Sequence, residues 1–306
     1  MLKSLFCFII LAVVTNISNG QVAPVPLKAI PFALHDVRLT DGPFKRAQQL
    51  NEKWLQEIDP DRLLSGYLTE AGLIPKGPKY GGWESGGLSG HSLGHYISAL
   101  SLMYASTGNK LYKERVIYIC KELAKCQNSN ENGFTAGYPN ANKIMEQIGK
   151  GEIKSSGFDL NGSWVPYYNL HKLFAGLIDA SKLTESEEAK SVLLDLAEWF
   201  YKLHNQLTDE QIQQILLCEH GGMNEVLADV YAIFGDQKFL ELSYHFNHKA
   251  VLDPLAEGRD ELTGKHANTQ IPKVVGTAKQ FLLTGNDKSF KTATYFFNQV
   301  THNHTY

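Results

Sequence analysis

One pattern recurs along this chain and restricts its fold more than any other feature. An apolar stretch with helical spacing ends in a short polar turn, and a one-sided helix follows. The turns fall at Thr107-Gly108-Asn109, Leu183-Thr184-Glu185, Phe234-Gly235-Asp236 and Thr284-Gly285-Asn286. The last three recur at a spacing of about 50 residues, the mark of stacked helical hairpins. The stretches before the turns (His95 to Ala105, His171 to Ala180, Asn224 to Ile233) are small or apolar on nearly every side, which predicts buried helices. Those after the turns are one-faced: Tyr112, Val116, Ile119, Cys120 and Leu123 form one stripe, and Val192, Leu196, Phe200 and Leu203 another. Alternating buried and half-buried helices fit an inner and an outer ring, an all-α (α/α)6 toroid that is expected to be incomplete in this chain. An open solenoid produces the same pattern.

The segment ahead of the repeat divides in two. Residues 1–20 carry Lys3, then a short apolar run from Leu5 to Val14, then small and polar residues, the layout of a secretory signal peptide. That run is too short to cross a bilayer, so the expectation is a secreted or periplasmic protein with no membrane association once the signal is removed. Residues 21–42 are Pro-rich with short apolar alternation and read as an extended lead-in with room for one strand. Asp41 and Pro43 suit the start of a first helix, so residues 43–306 form the helical domain. From Asp59-Pro60 to Gly90 the sequence reads as a long loop, and loops of that length are often functional.

Composition narrows the partners. With 43% hydrophobic and 20% charged residues the chain is globular, and a net charge of -3 without a Lys/Arg stripe argues against nucleic acid. Cys120, Cys126 and Cys218 lack the spacing of a zinc knuckle, and the first two lie too far apart along one helix to pair, so they read as buried thiols.

The inner helices begin with unusually polar segments, each containing a histidine: "GHSLGHY", "WVPYYNLHK", "CEHGGMNE" and "KHANTQ". His95, His171, His220 and His266 stand near the starts of four successive inner helices, and a toroid gathers those ends around one cleft. His91 and His95 share a helix face but lack an acidic partner at metal-site spacing, so no metal site is expected in this chain. Trp83, Trp164, Tyr167 and Tyr168 are suited either to stacking on sugar faces or to core packing. Glu84, Glu219 and Glu225 are the carboxylates placed for acid-base work on a glycosidic bond, and each also fits a helix-capping role. Asn224 completes the set of candidate substrate contacts.

The ordered motifs "PFALHDVRLTDGPFKRAQQLNEKWL", "YGGWESGGLSGHSLGHYISALSLMYASTGN", "WVPYYNLHKLFAGL", "EHGGMNEVLADVYAIFGD" and "LTGKHANTQIPKVVG" resemble the N-terminal part of the β-L-arabinofuranosidases of glycoside hydrolase family 127. The resemblance implies an (α/α)6 catalytic domain and retaining exo-hydrolysis of arabinofuranosides from plant glycans. It also implies a zinc-bound cysteine thiolate as nucleophile and a glutamate as acid/base, with the zinc ligands, nucleophile and acid/base expected beyond Tyr306. By motif, His171, His220 and His266 match the family's sugar-contacting histidines.

Three expectations follow for the structure and the chain. The three histidines share one cavity, Trp83 and Glu84 fold over its mouth, and the chain alone folds poorly and hydrolyses nothing. Two other readings remain: a non-catalytic carbohydrate-binding helical scaffold, and a different toroid glycosidase or lyase using Glu84 or Glu225.

Overall fold

The computed structural model describes residues 24–305, so the expected signal peptide lies outside the described residues. Within the lead-in, the described part has one 3-10 turn, Leu34–Asp36, and no strand. Helix α1 (Pro43–Glu57) starts on its proline, but Gly42 rather than Asp41 is the capping residue and no side chain caps it. Only Leu55 of α1 is buried, while Phe44, Leu50 and Trp54 are exposed. The expected loop after Asp59 is instead helix α2 (Pro60–Glu70), because the Asp59 side chain accepts the Asp61 N–H and Pro60 occupies the first helical position. Leu63, Leu64, Tyr67 and Leu68 then bury its inner face.

The hairpins follow in order. Helices α3 (His91–Thr107) and α4 (Lys110–Ser129) form the first. Helix α5 (Ala141–Gly149) and a small antiparallel sheet of β1 (Ser155–Ser156), β2 (Asp159–Leu160) and β3 (Ser163–Trp164) lead to α6 (Pro166–Leu183) and α7 (Glu187–His204). After α8 (Asp209–Ile215) come α9 (Met223–Phe234) and α10 (Gln237–His245). Helix α11 (Lys249–Ala256) precedes the last pair, α12 (Ala267–Thr284) and α13 (Asp287–Asn303).

The turn chemistry explains the sharp hairpins. Gly108, Gly235 and Gly285 are left-handed at φ 76°, 74° and 69°, and each returns its N–H to a carbonyl of the helix it ends. The next residue, Asn109, Asp236 or Asn286, caps the following helix through its side chain. One dipeptide thus stops one helix and starts another. In the α6/α7 hairpin the same work falls to Thr184 and Ser186, whose hydroxyl accepts the Ala189 N–H.

Helices α3, α6, α9 and α12 pack side by side as an inner layer, and α4, α7 and α10 follow one another outside it. The architecture is all-α and toroid-like. Leu93, Ile97, Leu170, Phe174, Leu177, Val192, Leu196 and Phe200 lie in the core between the layers. A smaller apolar cluster of Val251, Leu252, Leu255, Val274 and Phe296 ties α11 to α12 and α13. Glycine sets the spacing of the inner layer: a Cβ on Gly94 would meet the Lys172 carbonyl oxygen at 2.1 Å. Lower in the layer, Asp229 of α9 joins Lys182 of α6 at 2.5 Å and Lys279 of α12 at 3.0 Å, one buried carboxylate holding three helices. No helix among the described residues is long and apolar enough to cross a membrane.

Candidate functional site

The N-terminal ends of the inner helices gather a polar cluster. At α3 the chain turns through Gly90, and the buried Glu84 carboxylate accepts the Gly90 N–H at 2.7 Å and the Ser92 N–H at 3.1 Å. His91 Nδ1, 2.7 Å from the Leu88 carbonyl, also lies 3.0 Å from the same carboxylate and shares its one proton between the two oxygens. Burial alone would raise the pKa of Glu84, but the hydrogen bonds from His91, Gly90 and Ser92 bring it below the usual carboxylate range. Glu84 is therefore a cap of α3, and Trp83 beside it turns outward, 66% exposed, with its ring 6.2 Å from His91. Trp83 and Glu84 with His91, His95, Trp54 and Tyr80 line a cavity of about 640 Å³.

His95 lies 6.1 Å from His91, and Tyr168 at the start of α6 lies 6.4 Å from it. The Lys172 ammonium sits 4.6 Å over the Tyr168 ring. His171 is buried, and Gly221 is pressed against its ring: a Cβ there would stand 2.4 Å from Nδ1. Gly222 borders both His171 and Glu225, since its Cβ would lie 3.1 Å from His171 Nε2 and 3.1 Å from Glu225 Oε2. Only because neither position carries a side chain do His171 and the α9 N-terminus approach so closely.

Beyond Gly221 lies a second group. His220 is buried, its Nδ1 2.9 Å from the Cys218 carbonyl, and its ring is 5.7 Å from that of His248. Lys273 of α12, 2% exposed, places its Nζ 2.9 Å from His248 Nδ1 and 3.0 Å from Gln270 Oε1. Glu219 is buried next to His220. His248 and Lys273 were not among the residues singled out from the sequence. The available signal was a lone lysine on the buried face of α12, beside Val274.

Electrostatics make this cluster polar but largely uncharged on its imidazoles. Burial, then Lys172, pushes His171 down to about 3, and burial, then Lys273, does the same to His248. His220 is held well below its usual value by burial and then Lys273. His95 is exposed on one side, yet the protein packed around the rest of its ring, then Lys172 and His91, lowers it to about 4. Lys273 itself is lowered by burial to about 8. Burial raises the Glu225 carboxyl, with Asp229 adding to the effect.

The remaining residues singled out by the sequence fall in different surroundings. His266 is exposed at the N-cap of α12, whereas His171 and His220 are buried. It stands about six residues further ahead of its turn than His171 does, roughly 9 Å of helical rise. Asn224 faces the α9–α12 contact, donating to the Lys273 carbonyl at 2.8 Å and to Asn247 at 2.9 Å, with Gly276 closing over it. Tyr167 is a core residue whose hydroxyl meets His204 Nε2 at 2.6 Å, while Trp164 is 39% exposed on β3.

The residues present do not fit a zinc centre. Among the described residues no group of three or more His, Cys, Asp or Glu side chains is arranged to hold a metal. Cys120, Cys126 and Cys218 are buried, and burial pushes each thiol up to about 12, the opposite of an activated thiolate.

Helical hairpins in two layers, with a polar cluster at the N-terminal ends of the inner helices, define a toroid-type helical domain. The chain belongs to the family described as "Beta-L-arabinofuranosidase, GH127 catalytic domain", which matches residues 36–306. The crystal structure of a GH127 beta-L-arabinofuranosidase from Geobacillus stearothermophilus T6 is similar in fold, with a TM-score of 0.58 at 13% identity. That alignment covers 87% of this chain and 45% of the other, so the chain spans less than half the length of this relative. No curated protein matches the chain significantly.

Proposed function

We propose that this chain is the sugar-holding part of an exported glycoside hydrolase that removes β-L-arabinofuranosyl groups from plant glycans with retention. The observation carrying this reading is the group of buried, uncharged imidazoles of His171 and His220, near the N-terminal ends of the inner helices α6 and α9, and of His248 at the start of α11. A neutral imidazole offers one donor and one acceptor, the pairing that a sugar hydroxyl requires. Tyr168 and the exposed Trp83 supply aromatic faces nearby. Family membership supplies the substrate class. No nucleophile is assigned to Cys120, Cys126 or Cys218, because all three are buried and protonated.

The test is a titration of the chain with methyl β-L-arabinofuranoside and L-arabinose, followed by saturation-transfer NMR, alongside an assay of arabinoside hydrolysis. Binding without turnover is the expected result. Binding of an unrelated sugar in preference to arabinosides would sink the substrate assignment, and turnover by this chain would place the nucleophile among its own residues. A second reading, a toroid glycosidase using a carboxyl acid, draws support from Glu225 alone, whose raised pKa and position beside His171 suit a proton donor. Glu84 is engaged as a cap.

A further inference from the structure

His220 and His248 present opposite hydrogen-bonding polarity to each other. A carbonyl oxygen only accepts, so the 2.9 Å contact to Cys218 requires the proton of His220 on Nδ1 and leaves its Nε2 a bare acceptor. An ammonium only donates, so the 2.9 Å contact from Lys273 requires His248 Nδ1 to be bare and places its proton on Nε2. Both Nε2 atoms are buried and without a hydrogen-bond partner, though their rings are only 5.7 Å apart. An unpartnered buried polar atom costs on the order of 1–3 kcal/mol, so two of opposite polarity on neighbouring rings call for a group that both donates and accepts. A hydroxyl is the smallest such group.

We propose that His220 and His248 form a two-point clamp for a single hydroxyl of the bound sugar, with Lys273 as the positioning residue that sets the tautomer of His248. The hydroxyl donates to His220 Nε2 and accepts from His248 Nε2–H. Lys273 makes no contact with the sugar: Gln270 holds its ammonium at 3.0 Å, and the ammonium in turn holds the His248 ring. Sequence position alone does not suggest this unit, since His248 lies ahead of α11 and Lys273 lies inside α12, 25 residues apart. The inference rests on the sugar-holding reading above, although a water molecule has the same donor and acceptor chemistry and is the other possible occupant.

The experiment separates these cases. Long-range nitrogen NMR of the whole chain reports the tautomer of each ring without any ligand, and L-arabinose with its mono-deoxy analogues then reports which hydroxyl matters. The expected result is Nδ1–H for His220, Nε2–H for His248, and a shift of both Nε2 resonances on adding L-arabinose. One deoxy analogue should bind about tenfold more weakly than the parent, the worth of a lost hydrogen bond to a buried group. In Lys273→Met the affinity for the parent sugar should drop by a similar factor, and the same deoxy analogue should then show no further loss. A purely structural role for Lys273 would lower all the sugars equally and leave that difference in place.

The same tautomer in both rings overturns the clamp whatever happens to Lys273→Met, so poor folding of that variant leaves the proposal exposed to refutation. Arabinose binding without movement of either Nε2 resonance also overturns it, while leaving the arabinosidase reading intact. Binding of a different sugar that shifts both rings supports the clamp and sinks the substrate class. Opposite tautomers with no sugar-dependent shift identify a structural water only and overturn the sugar assignment.

Discussion

Gly94 of α3 and Gly176 of α6 face each other so closely that a Cβ on Gly176 would stand 2.5 Å from the Gly94 carbonyl oxygen. The atom in the way is backbone, which cannot rotate aside. The α3–α6 contact carries His91, His95, Tyr168 and His171 at its upper end, so its spacing also sets theirs. Gly176→Ala is expected to destabilise the fold by about 1–3 kcal/mol, the usual cost of forcing extra volume into a packed contact. Chemical denaturation measures this, and an unchanged midpoint would contradict the close approach.

Gly221 combines a φ of 60° with a ring of His171 directly against it. Gly221→Ala meets strain and a steric clash at once. The variant should lose stability by about 1–3 kcal/mol and should also displace His171, so arabinoside affinity should fall together with the midpoint. Gly162, at φ 80° with open space around its Cβ position, is the control: alanine there should cost stability and leave affinity unchanged.

Glu84 distinguishes capping from ligand contact. Glu84→Gln keeps the shape but weakens the bonds from Gly90 and Ser92, so a loss of about 1 kcal/mol is expected with sugar binding largely retained. Loss of binding at an unchanged melting temperature would assign Glu84 to the ligand instead.

The buried histidines make stability depend on pH in a stated direction. His171 and His248 are lowered to about 3 and His204 to about 4, all by burial first, and burial also holds His220 well below its usual value. Each is neutral in the fold but takes up a proton in the unfolded chain below its ordinary value of 6.5. Their contribution is therefore complete above that value and declines as pH falls toward the folded values, by about 1.4 kcal/mol per pH unit for each group. Denaturation midpoints measured downward from neutrality should begin to fall near pH 6, earlier than carboxylate titration would cause. His204→Phe, which removes one of these groups and leaves its Tyr167 partner unpaired, should lower the midpoint at pH 7 and flatten the slope below pH 6.

The hairpins were legible because their signals are local. A glycine followed by Asn or Asp both ends and starts a helix, and the stripe after it shows which face is buried. Helix α2 is not legible in the same way, because an Asp-Pro pair suits a loop boundary as well as the cap and first turn that Asp59 and Pro60 form here. Helices α5, α8 and α11 lie between repeats and carry no periodic reference. At the site, His171 and His220 could be read from their position ahead of the turns. His248 and Lys273 could not, because they meet only after α11 and α12 pack together. His266, at a similar sequence position shifted by less than two helical turns, is exposed where His171 and His220 are buried.

Protonated, buried thiols have a practical consequence as well. Cys120 and Cys126 lie on α4 in the outer layer, and Cys218 lies two residues ahead of His220. None reacts as a thiolate while the fold is closed, so a thiol-directed reagent labels each only when its surroundings open. The modification rate at Cys218 then times the breathing of the histidine-bearing end, and the rates at Cys120 and Cys126 time the opening of the outer layer. Native chemistry alone thus provides two clocks in one molecule, and a bound sugar should slow the first while leaving the second to follow global unfolding.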